Sequence, residues 1–317
     1  MKRPEMNPSD EKIAVASLSV WSNSLLVGMK LIAGTLMGSV SVISEALHSG
    51  IDLVAALIAR FSVRRSAEPA DRHHQYGHGK FENMSGLVEG SLIFVAAAVI
   101  VFEASRRLMS EVEVDLVPAG MAVMAVSAIV NTVVSRRLFQ VARKTDSLAL
   151  EADAYHLRTD VWTSVGVFVA LGLIQVTGWH IIDPVIAIFV AAFIIRAAYG
   201  VTKRSADGLL DRTLPDEELR MLEVVLSRHE VHFVDWHRLR ARKAGSERHI
   251  DLHVTVPSAM SVNRSHGLVE TLEHEIRDVL PMSIIVVHVE PCSEDCQSCR
   301  IARDDGELKR CRWTDRQ

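Results

Sequence analysis

Cysteine is missing from the first 291 residues of this chain. All four cysteines, Cys292, Cys296, Cys299 and Cys311, lie at the extreme C-terminus. A disulfide-stapled secreted domain would distribute them through its fold, so that class is excluded. The spacing Cys292-x3-Cys296-x2-Cys299 is a weak zinc signal, and a tail of reduced thiols is the favoured reading. No block of like charge is present and the net charge is −4, which leaves no footprint for nucleic acid. The polar first ten residues contain Pro4 and Pro8 and are not followed by the short apolar run and small-residue cleavage site of a signal peptide. His-Glu-x-x-His is also absent. A metal-dependent membrane hydrolase of that kind is therefore not expected, and the chain reads as a non-enzyme.

What is there is apolar and unevenly placed. Hydrophobic residues make up 49% of the 317, concentrated in the first two-thirds. Six segments, roughly 12–36, 39–64, 81–108, 116–142, 148–177 and 181–206, reach the ~20 residues a helix needs to cross a bilayer. The first two are joined by a short turn near Gly38, and the last two by Thr177-Gly178-Trp179-His180. Basic residues gather at alternate ends: Lys2, Arg3 and Lys12; Arg60, Arg64, Arg65, Arg72 and Lys80; Arg136, Arg137, Arg143 and Lys144; Lys203, Arg204 and Arg212. The excess of base predicts that these ends, and both termini, are cytoplasmic. The opposite loops are short and poor in base, or acidic (Glu111, Glu113, Asp115). Arg106 and Arg107 break the pattern and are expected to snorkel or to pair with Glu103.

Past Asp211 the chain becomes polar. A helix opening on Asp216-Glu217-Glu218, strands at Trp236–Ala241 and His249–Val256 about a turn at Ala244-Gly245, a helix over 262–279 and a strand over Ser283–Val289 are predicted. The fold class is thus an α-helical membrane protein of six transmembrane helices with a C-terminal α+β domain in the order α-β-β-α-β. The expected divisions are a cytoplasmic segment 1–11, a transmembrane domain 12–208, a metal-binding domain 209–291 and a Cys-containing tail 292–317.

Ionisable groups inside a membrane helix are costly, by at least about 2.5–3.5 kcal/mol for a central Asp, and so invite a functional reading. The second segment carries His48-Ser49-Gly50-Ile51-Asp52 and the fifth His156-Leu157-Arg158-Thr159-Asp160. His-x-x-x-Asp places both side chains on one helix face, roughly 6 Å apart at Cβ. Two such helices supply two imidazoles and two carboxylates, a set suited to tetrahedral Zn²⁺ and poorly suited to Mg²⁺ or Ca²⁺. A single such pair is as readily a buried hydrogen bond; the repeat on a second helix turns the balance towards a metal site. Arg158 is expected to point away from that site, towards a carboxylate or an interface. Asn23 and Asn131 are expected to bond across helices. The loop Asp71-Arg72-His73-His74-Gln75-Tyr76-Gly77-His78 is a candidate second metal site, against the alternative of a solvated polar loop.

These residues resemble the cation diffusion facilitator family over about 12–291. The likeness rests on four marks. They are the paired His-x-x-x-Asp, the string Pro-Ala-Asp-x-x-His-x-x-Gly-His-Gly-Lys at 69–80, Leu210-Asp211 through Pro215-Asp216, and the ending His288-Val289-Glu290-Pro291. The resemblance implies a homodimer in a lipid bilayer, with a ferredoxin- or metallochaperone-like cytoplasmic domain from each protomer paired. It implies metal–proton antiport out of the cytoplasm, with Zn²⁺ as substrate and regulatory ligand and protons as counter-substrate; a bacterial inner membrane is expected. By position, His48, Asp52, His156 and Asp160 match its transport site, and Asp71, His74 and His78 its loop site, with His73 an extra neighbour. His237, His253 and His288 match cytoplasmic ligands. Glu290 and the more peripheral His266 match less closely. His229, His232, His249 and His274 are expected at the surface. His48 stands where some relatives have Asp. Two imidazoles favour zinc, with cobalt or cadmium next, over manganese and iron. The alternatives are an exporter of another divalent ion, such as Fe²⁺ or Ni²⁺, and a non-transporting membrane metal sensor.

Overall fold

A computed structural model describes residues 7–37, 40–109, 118–179 and 181–292. The expectations placed on Lys2, Arg3, Gly38, Glu111, Glu113, Asp115, His180, Cys296, Cys299 and Cys311 lie outside the described residues. The chain divides into two compact units, 1–210 and 211–317.

The first unit holds six long helices: α1 (Pro8–Met37), α2 (Val40–Ser66), α3 (Lys80–Met109), α4 (Pro118–Thr145), α5 (Leu148–Thr177) and α6 (Ile182–Leu209). All six are long and apolar enough to cross a membrane. At ~1.5 Å per residue each exceeds the ~30 Å hydrocarbon core, so its polar ends reach the headgroup layer. Several helices run up to a turn beyond the apolar stretches that predict them, because their polar ends continue the backbone ladder. Thus Pro8–Glu11 opens α1, and Arg143–Thr145 closes α4. Capping fixes α5 at both ends. Ser147 Oγ accepts from the Leu150 N–H, and Gly178, in the left-handed region at φ 72°, sends its N–H to Ile174 O.

Helix α1 packs on α2 and α4, α4 on α5, and α3 most extensively on α6. The α3–α6 contact depends on missing side chains. A Cβ on Gly86 would collide with Ser205, and one on Gly90 with Thr202. Small residues let two membrane helices approach where apolar lipid supplies no hydrophobic drive for association. Small and branched residues, including Ala16, Val63, Leu138, Ala149, Leu150, Ala154 and Leu157, fill the junction of α1, α2, α4 and α5. Trp21, Leu25, Phe61, Phe102 and Phe189 stay exposed, as side chains facing lipid do.

The second unit contains α7 (Asp216–Arg228), β1 (Asp235–Ala244), β2 (Glu247–Val256), α8 (Val262–Val279) and β3 (Ser283–Pro291). The sheet order is β1-β2-β3, with β1/β2 antiparallel and β2/β3 parallel. Strand β2 sends Ile250, Leu252, Val254 and Val256 into a core shared with Leu222, Leu226, Phe233, Leu272 and Ile276. Period-two alternation then puts Asp251, His253 and Thr255 on the opposite face. His237, His253 and His288 pair in register across all three strands. A bulge follows His237, between it and Arg240, and Arg238 there has φ 51°.

Candidate metal centre

Helices α2 and α5 bring the two His-x-x-x-Asp pairs together. Ligand atoms of His48, Asp52 and Asp160 all lie within 4.8 Å of one another. His156 joins them through its Nε2, 3.0 Å from Asp52 Oδ1. Asp52 and His156 are buried, Asp160 is half-buried and His48 is exposed. Asp52 lies further along α2 towards Arg64 and Arg65, and His156 lies nearer the α5 start that follows Arg143 and Lys144. The two buried members thus lie nearer the basic end of the bundle, and the more exposed His48 and Asp160 nearer the other. Asn131 of α4 donates from Nδ2 to Asp160 Oδ2 at 3.3 Å. That bond does cross helices, and it also orients a candidate ligand. Arg158 turns away from the site, but onto the rings of Trp162 and Phe139, 5.2 and 5.6 Å from their centroids, rather than onto a carboxylate.

The basic end is closed by groups that the sequence reading passed over. Lys12 Nζ donates to Glu82 Oε1 at 2.8 Å, and both are buried. Ser66 donates to the same oxygen at 3.0 Å, and Ser147 to Oε2 at 2.5 Å. One carboxylate thus ties α1, α2, α3 and the cap of α5. Deeper in, Glu89 of α3 and Asp153 of α5 have no exposed surface. The signal was available: each is an acid inside a helix long and apolar enough to cross a membrane, as Asp52 and Asp160 are. Arg107 bridges Glu103 (3.4 Å) and Asp183 (2.9 Å), so its expected Glu103 partner is joined by a second from α6.

In the loop before α3, Asp71, His74 and His78 form a second group whose ligand atoms lie within 4.8 Å. Asp71 Oδ1 accepts from the backbone N–H of His74 (2.7 Å) and of His73 (2.8 Å). The His74 amide chiefly holds the Asp71 carboxyl below its ordinary range; desolvation opposes it, and the His73 amide and the nearby imidazoles add to the lowering. His78 is buried, with Nε2 3.4 Å from Asp71 Oδ2. His73 contributes its backbone and is not in the group.

On the open face of the sheet, His237, His253 and Glu290 form the third group. His253 Nδ1 lies 2.7 Å from Glu290 Oε1, and His237 Nε2 3.2 Å from Oε2. The hydrogen bond with His253 holds Glu290 below the ordinary carboxylate range, with the charges of the nearby imidazoles adding to it. His288 stands beside them, its ring 4.7 Å from that of His253 and its Nε2 3.7 Å from Glu290 Oε1. His266 stands apart on α8, exposed and 3.4 Å from Glu270. His232 and His274 are exposed and His229 is half-buried, but His249 is buried, against expectation. Its neighbours across the sheet are Arg242 of β1 and Ile284 of β3. Cys292 continues β3, its N–H donating to Val256 O at 2.8 Å.

A six-helix membrane domain with a His/Asp cluster between helices, followed by a small His-lined α+β domain, defines a metal-ion transporter. Residues 16–210 match the cation efflux transmembrane domain, and residues 214–292 the cytoplasmic domain of cation efflux proteins. The chain belongs to the cation efflux family, the cation diffusion facilitators, whose members transport cations and are not enzymes. An uncharacterized transporter of Synechocystis sp., sll1263, is 37% identical over 88% of this chain and 90% of its own length. The cation-efflux pumps FieF of Citrobacter koseri and of Escherichia coli are each 31% identical over 85% of this chain and 89% of theirs.

Proposed function

We propose that this protein exports Zn²⁺ from the cytoplasm in exchange for protons, with Cd²⁺ and Co²⁺ as secondary substrates. It works as a homodimer in a bacterial inner membrane, with both termini cytoplasmic. The observation that carries the reading is the convergence of His48, Asp52 and Asp160 with His156 bonded to Asp52. Two imidazoles and two carboxylates are the donor set that zinc takes in tetrahedral sites.

Imidazole must be neutral and carboxylate ionised to hold a metal, so protons and metal compete for the same atoms. The Asp52–His156 contact engages two ligand atoms with each other. Metal arriving from the cytoplasm replaces that contact with coordination. Rocking of the helices then turns the loaded site outward. Protons reaching the site compete with the ion for the same imidazole and carboxylate atoms and so help to displace it. The exposure of His48, with Asp52 and His156 covered, fits the outward-open stage of that cycle.

The loop group and the sheet group serve as regulatory zinc sites. Metal on His237, His253, His288 and Glu290 stiffens the paired cytoplasmic domains and biases the membrane part. The description of the C-terminal match as the family's cytoplasmic domain supports this placement. The test is zinc flux into proteoliposomes across a pH gradient, for the wild type and for Asp160→Ala. Loss of flux in the variant is expected; unchanged flux refutes the site. Flux of Fe²⁺ or Ni²⁺ in place of Zn²⁺ would replace the metal but keep the class.

A further inference from the structure

Glu89 and Asp153 are acids that belong to none of the three ligand groups. Both are fully buried, on the facing helices α3 and α5. They lie within electrostatic reach of each other and of His156, and Asp153 also of Asp52. Ser85 donates to Glu89 Oε1 at 2.9 Å. Glu89 Oε2 and both oxygens of Asp153 have no hydrogen-bond partner among the described residues. The Ser19 hydroxyl of α1, itself fully buried, faces Asp153 without completing a well-formed bond to it. Asn23, one turn further along α1, also leaves its buried Nδ2 unpartnered.

A buried carboxylate pairs with a cation, coordinates a metal or takes up a proton, because an isolated charge in so dry a place is untenable. No ammonium or guanidinium bonds to either acid among the described residues. Sequence spacing adds a direction. Asp153, His156 and Asp160 are three and four residues apart, which sets all three on one face of α5. Asp153 is the member nearest the basic end. We infer that Glu89 and Asp153, with the Ser19 hydroxyl, form a second membrane-embedded site for the transported divalent cation, one step nearer the basic end than the His/Asp cluster. The inference rests on the export reading above.

The chemistry suits a transit position. Three carboxylate oxygens and a hydroxyl are an oxygen-only set. It holds a zinc-like ion more loosely than one with imidazoles does. A site that is weaker than the next one along the path receives the ion and passes it on. Electrostatic contact with His156 and Asp52 then makes the two sites compete for charge: filling one loosens the other.

The test uses the full chain in nanodiscs with zinc alone, the bound ions being counted by equilibrium dialysis and elemental analysis. The double variant Glu89→Gln/Asp153→Asn keeps shape and removes charge. It is expected to bind one zinc ion fewer per protomer at saturation, and to lose flux in proteoliposomes by about 10-fold or more, as changes beside a metal site do. Glu89→Asp, which keeps the carboxylate, is expected to restore the ion count when paired with native Asp153. If the double variant fails to fold, Glu89→Gln alone gives the same count. An unchanged count overturns the inference whatever the flux does, because lost flux without a lost ion would make the pair a structural or proton-holding one. Asp160→Ala in the same vesicles keeps the two readings apart. If it abolishes flux while Glu89→Gln/Asp153→Asn leaves both count and flux intact, only the second site is refuted.

Discussion

The membrane cluster and the sheet cluster use the same donors in opposite settings. Both combine imidazoles with carboxylate. In the membrane, Asp52 and His156 are buried between helices, and Asn131 braces Asp160 from a third. On the sheet, His237 and Glu290 are about one-third exposed on an open face. Electrostatic attraction is stronger away from water, so the first setting makes each ligand costly to lose. The second lets metal come and go with solvent. Under the proposed function, burial is what separates a carrying group from a sensing one built of similar donors.

The largest effect should come from the carrying site. Asp160→Ala is expected to cut zinc flux by more than the about 10–100-fold that outer-shell changes cost. Asn131→Ala leaves every candidate ligand in place but removes the Nδ2–H bond to Asp160. A fall in zinc affinity within that about 10–100-fold range, read by calorimetry on the reconstituted chain, is expected. If Asn131→Ala were silent while alanine at the sheet histidines abolished flux, the comparison would be reversed. The triple change of His237, His253 and His288 to alanine should keep flux and shift the zinc concentration for half-maximal flux by about 5-fold or more, the size of ordinary coupling. No change in either affinity or flux refutes a sensing role.

Two smaller effects test the framework around each cluster. Lys12→Met strands the buried Glu82 carboxylate. Ser66 and Ser147 still bond to it, so a cost near the lower end of about 3–5 kcal/mol is expected, read as earlier thermal unfolding of the membrane unit. Glu290 is held below its ordinary value, about 4.3, chiefly by its bond with His253. A depressed carboxylate contributes stability above its unfolded value and loses it as pH falls through the folded one. Glu290→Gln should therefore raise hydrogen exchange of β2 and β3 at pH 7, and the difference from wild type should vanish in acid. Persistence of the difference at low pH would remove the ion pair as its cause.

Much of this was legible in one dimension. Apolar length set the six helices, and alternation set the strands and their core. His-x-x-x-Asp fixed two helix faces, because 3.6 residues per turn leaves no freedom in where positions four apart point. Arg158 shows the limit. Its direction followed from that geometry, but its partners, Phe139 and Trp162, did not. His249 shows the same limit: it is buried while Asp251 and His253, on the same face of the same strand, are only half-buried.

The sequence by itself determined the candidate ligand types, their spacing on each helix and the register-ready histidines of three strands. Tertiary structure alone decided that α2 faces α5, that Asn131 reaches Asp160 from α4, and that Lys12 meets Glu82 across 70 residues. It alone placed Glu89 beside Asp153. Local spacing is set by backbone geometry, which the chain carries everywhere. Contacts between helices depend on which small residues, such as Gly86 and Gly90, let two backbones approach, and that is settled only when the whole bundle packs.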